Sequence, residues 1–524
     1  MIRIPLCAAV IAALATQPIE AQGNNPVPRL VVGITVDQLR SDYMEAFSPL
    51  YGEDGLKRLM REGVVFAKAQ YASDNLDRAS AVASVYTGSV PYSHGIIAED
   101  WLDRQSLRPV YCVDDFKVKG AGTLETASPK NLLVSTIGDE LKLATEGRSL
   151  VYSVAPYREA AVLAAGHSAD WALWIDDHTG KWCGSTFYGK EPSWTKYLDT
   201  KSVSDADKLS WKPSNQAVAS YNYYLSVSQN SNFSHRFTGE QRFRTVKHSA
   251  LINDIVSQTA SFVVTQSGMG LNDVPDFLSL CYYAGTYAGK SASESSTELQ
   301  DTYVRLDAAI ARLLKDIDRS VGLQHTLIFF TSTGYEKNET QDLTRYRIPT
   351  NTLHINRCAA LLNMYLMAIY GQGQYVESYY QNQFYLNHKL IEQKQLNLAE
   401  VLGTCEDFLF QYSGVRDVYT FTRLTQGAWT PGISRIRNGY NPHRSGDILI
   451  QPSPGWVLSN DDLGQTRFTR DSYFEFPLIF FGYGLKAEKV STPVTVDCIA
   501  PTVAHFMRIR APNACATAPL LVDR

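Results

Sequence analysis

A series of short apolar runs constrains the fold of this 524-residue chain more than any other feature. Each run is rich in β-branched or aromatic residues and ends in small or polar ones. Continuous apolar strands of this kind suit a parallel sheet covered on both faces. The runs are Leu30–Val36, Leu150–Val154, Phe277–Tyr283, Thr326–Phe330, Asp447–Ile450 and Phe476–Phe481.

Helical patterns alternate with these runs. The clearest spans Glu298–Ile317, where apolar residues recur on one face, and Ser295 with Glu298 predicts a capping box at its start. Alternation of strands and helices predicts a doubly wound, mostly parallel α/β sheet with helices on both faces. Two polar, aromatic-rich stretches, at about 168–245 and 336–440, are predicted to be cap insertions in a single domain covering residues 22–524.

The composition excludes several classes of protein. With 44% hydrophobic residues the chain is too apolar to be disordered. Its net charge of −4 argues against a dedicated nucleic-acid binder, which usually carries a basic stripe.

The N-terminus predicts export. Arg3 precedes a short apolar run, Ile4–Ala15, and Ala21-Gln22 offers a cleavage point, so residues 1–21 are interpreted as a signal peptide. The mature protein is expected in the periplasm, the cell envelope or the extracellular space. No later apolar run reaches the ~18 residues that a transmembrane helix needs.

Seven cysteines remain after cleavage, with no C-x-x-C pair, which disfavours zinc or thioredoxin-like chemistry. Export permits disulfides, and an odd number leaves at least one thiol unpaired. Cys281 lies in an apolar run and is expected to be an inert core residue.

Ligands bind beyond the carboxyl ends of strands in open α/β sheets. Asp37 follows the first run and suits a metal or phosphate site, or equally a helix N-cap. Residues 284–291 fit a loose P-loop pattern, but a Gly-rich connection with a solvated lysine is the favoured interpretation. The ten histidines are scattered along the chain.

Five segments together resemble the alkaline phosphatase superfamily, in particular its exported bacterial branch related to nucleotide pyrophosphatases and type I phosphodiesterases. They are Leu30–Tyr43, Thr87–Ile96, Ala165–Trp182, Asn438–Ile450 and Asp497–Ile509. The resemblance implies two zinc ions held by Asp and His, and a Thr or Ser nucleophile at the start of the helix before the T-G-S-V-P motif. Metal ions in such a site activate the nucleophile, and a helix N-terminus favours the anion.

Carried over by motif, these positions are largely substituted. Asp37 keeps the first metal ligand, but Arg78 stands at the nucleophile position. The other metal positions fall on Thr286, Lys290, Thr333, Gly334 and Glu475, with Tyr335 completing the substituted D-H-G motif. Residues that contact phosphate in related enzymes fall on Glu99, Tyr157 and Glu159. We therefore expect no metal cofactor.

Charge balance predicts what replaces the metals. An unpaired buried carboxylate costs several kcal/mol, so Arg78 and Lys290 are predicted to neutralise Asp37, Glu99 and Glu475 in an ion-pair cluster. The added carboxylates Glu99, Glu159 and Glu475 would repel phosphate.

Two functional hypotheses follow. The first is a non-catalytic pseudoenzyme that binds an unidentified protein partner or cleft ligand, or serves as a structural envelope protein. The second is an active phosphomonoesterase or phosphodiesterase with a rearranged site. It would draw ligands from Asp74, Asp77, Asp100 and His167, and a shifted loop would supply Ser73 or Ser80 as nucleophile.

Overall fold

The computed structural model describes residues 27–74, 76–221, 232–335, 350–427, 430–462, 464–467 and 475–523. The signal-peptide prediction and residues 336–349 of the second predicted insertion lie outside them. The strands are β1 (Leu30–Asp37), β2 (Val64–Gln70), β3 (Asp100–Leu102), β4 (Pro109–Tyr111), β5 (Gly120–Ala121), β6 (Val151–Val154), β7 (Trp171–Ile175), β8 (Trp182–Ser185), β9 (Ser210–Trp211), β10 (His235–Arg236), β11 (Asp276–Tyr283), β12 (Thr326–Ser332), β13 (Thr352–His354), β14 (Val376–Tyr380), β15 (Gln383–Leu386), β16 (Val415–Thr420), β17 (Ile448–Pro452), β18 (Val457–Asn460), β19 (Gln465–Arg467), β20 (Phe476–Gly482), β21 (Glu488–Val490) and β22 (Val494–Thr495).

The α-helices connect these strands and cover the sheets. They are α1 (Ser41–Ala46), α2 (Leu56–Glu62), α3 (Arg78–Thr87), α4 (Pro91–His94), α5 (Ile137–Ala144), α6 (Arg158–Ala165), α7 (Gln216–Ser220), α8 (Arg242–Lys247), α9 (Leu251–Ser267), α10 (Ser296–Ser320), α11 (Ile355–Tyr370), α12 (His388–Gln393), α13 (Leu398–Phe410), α14 (Phe421–Gln426), α15 (Pro431–Gly439) and α16 (Ile499–Met507).

A large central sheet organises the molecule. Its strand order is β21-β2-β20-β12-β1-β11-β6-β7-β8-β5, with β22 beside β2. The strands β12, β1, β11, β6 and β7 run parallel, whereas β20 is antiparallel to both of its neighbours. The predicted doubly wound, mostly parallel α/β fold is therefore confirmed.

Hydrophobic burial on both faces explains the continuous apolar strands. Val32 and Ile34 of β1 pack into one core with Leu306 and Ile310 of α10. Val31, on the opposite face, packs into a second core that also contains residues of α3 and α6. All eight residues of β1 are buried, because helices exclude water from both sides.

A smaller lobe follows the central strand β12 in the chain. Helices α11 and α13 pack on an antiparallel four-stranded sheet of order β14-β15-β17-β16. This lobe has its own core and extends past residue 440, because Ile448 and Ile450 are part of that core. No helix in the described part of the chain is long and apolar enough to cross a membrane.

Three local predictions are wrong. The run Asp447–Ile450 lies in the lobe sheet rather than the central sheet, since four apolar residues do not reveal which sheet they join. The stretch 168–245 is not wholly an insertion, because β7 and β8 belong to the central sheet. The box of Ser295 and Glu298 is absent, since Ser295 makes no side-chain cap and the Glu298 carboxylate contacts His235 at 2.8 Å.

Candidate functional site

A cleft of about 1050 Å³ opens beyond the carboxyl ends of β1, β6 and β11. This is where an open α/β sheet places its ligands. Seven carboxylates and five Lys or Arg side chains line the cleft, so its formal charge is negative. The carboxylates are Asp37, Asp74, Asp77, Glu99, Glu125, Glu159 and Asp177, and the cations are Arg40, Arg78, Arg158, Arg244 and Lys247.

Arg78 is the first residue of α3. The preceding residue, Asp77, caps the helix by accepting the backbone N–H of Ser80, and the Ser80 hydroxyl accepts the N–H of Asp77 in return. A helix N-terminus carries partial positive charge and disfavours a cation there. Nearby carboxylates must therefore stabilise the guanidinium.

Two buried carboxylates hold the Arg78 guanidinium. Its Nη1 lies 3.0 Å from Asp37 Oδ2, and its Nε lies 2.5 Å from Glu159 Oε1. The Asp37 and Glu159 side chains are only 1% and 2% exposed. The ring of Tyr157 stacks beneath the guanidinium carbon at 3.5 Å. We call Arg78, Asp37, Tyr157, Glu159 and the more distant Glu99 the Arg78 cluster.

The cluster fixes the protonation of its members. Burial would lower the pKa of Arg78, but the charges of Glu159, Asp37 and Glu99 outweigh it and raise that pKa well above its ordinary value. Burial would likewise raise the pKa of the Glu159 carboxyl, yet the Arg78 charge and the Tyr111 hydrogen bond hold it below its ordinary value. Arg78 and Glu159 therefore form an ion pair.

Two hydroxyl groups donate further hydrogen bonds to the buried carboxylates of the Arg78 cluster. The Tyr111 hydroxyl donates to Glu159 Oε2 at 2.6 Å, and the Thr333 hydroxyl donates to Asp37 Oδ1 at 2.7 Å. The motif comparison predicted Thr333 at a metal position, but no sequence motif marks Tyr111, which lies on the short strand β4. Only the tertiary structure reveals its role.

Asp37 is the last residue of β1 and not a helix N-cap. Helix α1 begins only at Ser41, after Gln38 adopts a left-handed backbone with φ of 65°. That conformation is uncommon for a residue other than glycine and often marks a functional site. The N-cap interpretation is therefore wrong.

Glu99 faces the cleft at a greater distance. Its Oε2 lies 4.0 Å from Arg78 Nη2, and 42% of its side-chain surface is exposed. Enclosure by the cleft walls and the like charge of Glu159 raise its pKa to about 7. Three carboxylates thus surround one guanidinium, so the floor of the cleft is negative when Glu99 is ionised.

The predicted cluster is correct for Arg78 and wrong for Lys290 and Glu475. Lys290 is exposed, with its ammonium 5.9 Å from the centre of the Tyr287 ring, and lies within 4 Å of no carboxylate in the described ranges. Glu475 instead pairs with Lys68 at 3.9 Å and does not line the cleft. Glu159, which the sequence did not pair with Arg78, supplies the missing carboxylate.

Two other predicted metal positions, Thr286 and Gly334, accept hydrogen bonds through their backbone carbonyls. The Thr286 carbonyl accepts a hydrogen bond from the Tyr283 hydroxyl, and the Gly334 carbonyl accepts one from the Gln38 N–H. Residues 284–291 do not form a P-loop, because the next α-helix begins only at Ser296. The favoured interpretation as a Gly-rich connection agrees with this geometry.

The off-motif residues do not assemble into a site. Asp74 pairs with Arg435, Asp100 accepts from Tyr380 and Gln381, and His167 contacts Asp139. Asp77 is the N-cap of α3, and its Oδ1 accepts the Ser80 hydroxyl at 2.9 Å. Ser73 is buried as well. Asp74 and Asp77 line the cleft, whereas Asp100 and His167 do not.

Among the described residues, the structure does not bring together the ligands that two zinc ions need. No group of three or more His, Cys, Asp or Glu side chains that could hold a metal occurs in the described ranges, which include all ten histidines. A zinc site needs three or four such ligands. Both carboxylate oxygens of Asp37 are engaged by Arg78 and Thr333. The seven described cysteines are free thiols, with Cys281 buried as expected.

Comparison with known proteins identifies the class. The family model described as type I phosphodiesterase / nucleotide pyrophosphatase matches residues 31–474, so the chain belongs to this family. The resemblance to the alkaline phosphatase superfamily is thereby confirmed.

Individual relatives match almost the whole chain. It is 29% identical to the "Alkaline phosphatase PafA" of Elizabethkingia meningoseptica over 537 residues, which cover 95% of each chain. It is 31% identical to a "Calcium-transporting ATPase" of Myroides odoratus, covering 98% of this chain and 97% of that one. The crystal structure of wild-type PafA has a TM-score of 0.82 at 28% identity, covering 94% of this chain and 98% of that one. A variant of PafA with a threonine, an asparagine, a lysine and an arginine replaced has also been solved.

Proposed function

We propose that this protein is an exported, alkaline-phosphatase-fold pseudoenzyme that binds a protein partner or a cleft ligand, or serves as a structural envelope protein, without hydrolysing phosphate esters. The observation that carries the proposal is the Arg78 guanidinium held between the buried carboxylates of Asp37 and Glu159. A protonated guanidinium has no lone pair with which to attack phosphorus.

The spacing of substituted residues in PafA supports the motif register. In the PafA variant, the replaced threonine and asparagine are 21 positions apart, as Arg78 and Glu99 are here. The replaced lysine and arginine are two positions apart, as Tyr157 and Glu159 are. We infer that the four replaced residues of PafA correspond to Arg78, Glu99, Tyr157 and Glu159. The side-chain chemistry at these four positions therefore differs between the two proteins.

Cleft electrostatics also favour binding over phosphoryl transfer. The two buried carboxylates occupy the Nη1 and Nε donors of Arg78, and Glu99 adds negative charge nearby. A phosphate group entering this cleft meets like charge without a metal ion to neutralise it.

The test is metal analysis together with a phosphatase assay on the mature protein purified in the presence of zinc. We expect substoichiometric zinc and no turnover of p-nitrophenyl phosphate or of bis-p-nitrophenyl phosphate above the buffer rate. PafA, prepared in the same way, is the positive control.

An Arg78→Thr variant sharpens the experiment. It restores a hydroxyl at the nucleophile position but no metal ligand, so we expect it to stay inactive. Stoichiometric zinc with turnover by the unmodified protein would refute the proposal and favour the rearranged hydrolase.

A further inference from the structure

The smaller lobe carries an exposed apolar surface whose residues do not line the cleft. Five large side chains on α11 and α13 are between 37% and 61% exposed. We call them the α11–α13 patch: Leu361, Met364, Tyr365, Ile369 and Phe410. Both helices pack on the same lobe sheet, so their outer faces form one surface.

The sequence of α11 explains the exposure. Its sixteen residues contain a single charged side chain, Arg357, although only one face is needed for the lobe core. Leu362 and Leu366 fill that core, whereas Leu361 and Met364 point outward. A solvated helix normally carries polar residues on its outer face. The apolar outer face of α11 therefore indicates an interface.

We propose that the α11–α13 patch is the centre of a symmetric homodimer interface. Five large side chains that are each about half exposed leave roughly 500 Å² of apolar surface, at the upper end for a monomer. A standard interface hides about 800 Å² on each partner, with an apolar core inside a polar rim. The patch matches such a core, and the surrounding polar residues match the rim.

The charges at its edge favour a second copy over a lipid surface. Glu400 and Asp407 are exposed on α13, and they would repel anionic lipid. Arg357 is 65% exposed at the start of α11. A patch with both signs of charge at its edge can complement itself about a two-fold axis.

The helix register brings opposite charges together. The Tyr370 hydroxyl bonds the Thr404 hydroxyl at 2.8 Å, and the Tyr365 ring stacks on Phe408 at 5.0 Å, so α11 and α13 are antiparallel. Glu400, one turn before Thr404, therefore lies about one turn beyond the C-terminal end of α11.

A two-fold axis near Tyr365 would bring Arg357 level with Glu400 of the second copy. Arg357 lies eight residues before Tyr365, or about 12 Å along the helix, and Glu400 lies a similar distance beyond it. Arg357 already contacts Asp461 at 3.3 Å, but a guanidinium has five N–H donors and can hold a second carboxylate. The nearby Lys394 ammonium is held by the Tyr370 and Gln372 carbonyls.

Sedimentation velocity of the mature full-length chain tests the interface. We expect a concentration-dependent dimer, which Met364→Glu weakens at least about tenfold. Leu271→Glu is the matched control, because Leu271 is an exposed leucine outside the patch, and we expect it to leave the dimer unchanged. Circular dichroism establishes that both variants are folded.

A charge exchange tests the two-fold register. Arg357→Glu and Glu400→Arg should each weaken the dimer several-fold, and the double variant should recover most of the loss. A wild-type protein that stays monomeric up to about 100 µM would overturn the proposal. Binding of that monomer to anionic vesicles, lost in Met364→Glu, would instead assign the patch to lipid and also overturn it.

Discussion

Replacing Arg78 with methionine removes the only cation of the Arg78 cluster and keeps an unbranched side chain of moderate length. Asp37 and Glu159, which are 1% and 2% exposed, then remain in the interior without their common partner. Removing one partner of a buried ion pair typically costs about 3–5 kcal/mol, because the remaining charge is uncompensated. For a chain of this length we expect the Tm to fall by roughly 3–5 °C.

The stability that Arg78→Met removes should depend on pH, and it should be larger at high pH than at low pH. In the native protein the pKa of Glu159 lies below its ordinary value, so its ionised form stabilises the fold at neutral pH, and this contribution is lost as pH falls through the folded-state pKa. In the variant the Arg78 charge no longer opposes the effect of burial, so the pKa of Glu159 rises. The destabilisation is therefore largest above pH 7 and falls by about half at pH 4, where the variant carboxyl is protonated.

Calorimetry and urea titration at pH 7.5 and pH 4 measure both effects. Arg148→Met is the control, since Arg148 pairs with Asp273 at the surface and its loss should cost less than about 1 kcal/mol. A loss from Arg78→Met as small as that of the control at pH 7.5 would refute the reasoning. So would a loss that does not change with pH.

Three further outcomes are expected. Glu99→Gln should stabilise the protein by about 1 kcal/mol above pH 7, after allowance for solvent screening, and should have no effect below pH 4. The reason is that the raised pKa of Glu99 makes its ionised form unfavourable in the fold. A gain in stability that persists at pH 4 in urea titrations would contradict this. Tyr111→Phe should lower the free energy of unfolding by about 1–2 kcal/mol in urea titration and raise the pKa of Glu159, because one charge-assisted hydrogen bond is lost. An unchanged urea midpoint would show that this hydrogen bond contributes nothing to stability. EDTA should leave the Tm unchanged within about 1 °C, since no metal-holding group occurs in the described ranges; a marked fall in calorimetry would reveal a structural metal.

The local sequence pattern was sufficient to predict the central strands β1 and β12. The run Leu30–Val36 forms β1 with one extra residue, and the run Thr326–Phe330 forms most of β12. These predictions succeed because strands buried on both faces must be apolar throughout. The run Asp447–Ile450 failed because the same short pattern also fits a strand with one covered face.

The sequence by itself determined the family and the fold, and it predicted Arg78 at the position of the family's nucleophile, because these inferences depend on residue identity within ordered motifs. Only the tertiary structure decided which charges meet. It brought Glu159 and Tyr111 to the Arg78 cluster and left Lys290 and Glu475 outside it. Sequence spacing does not encode side-chain direction, and a charge buried by the fold takes the partner that geometry brings within hydrogen-bonding distance.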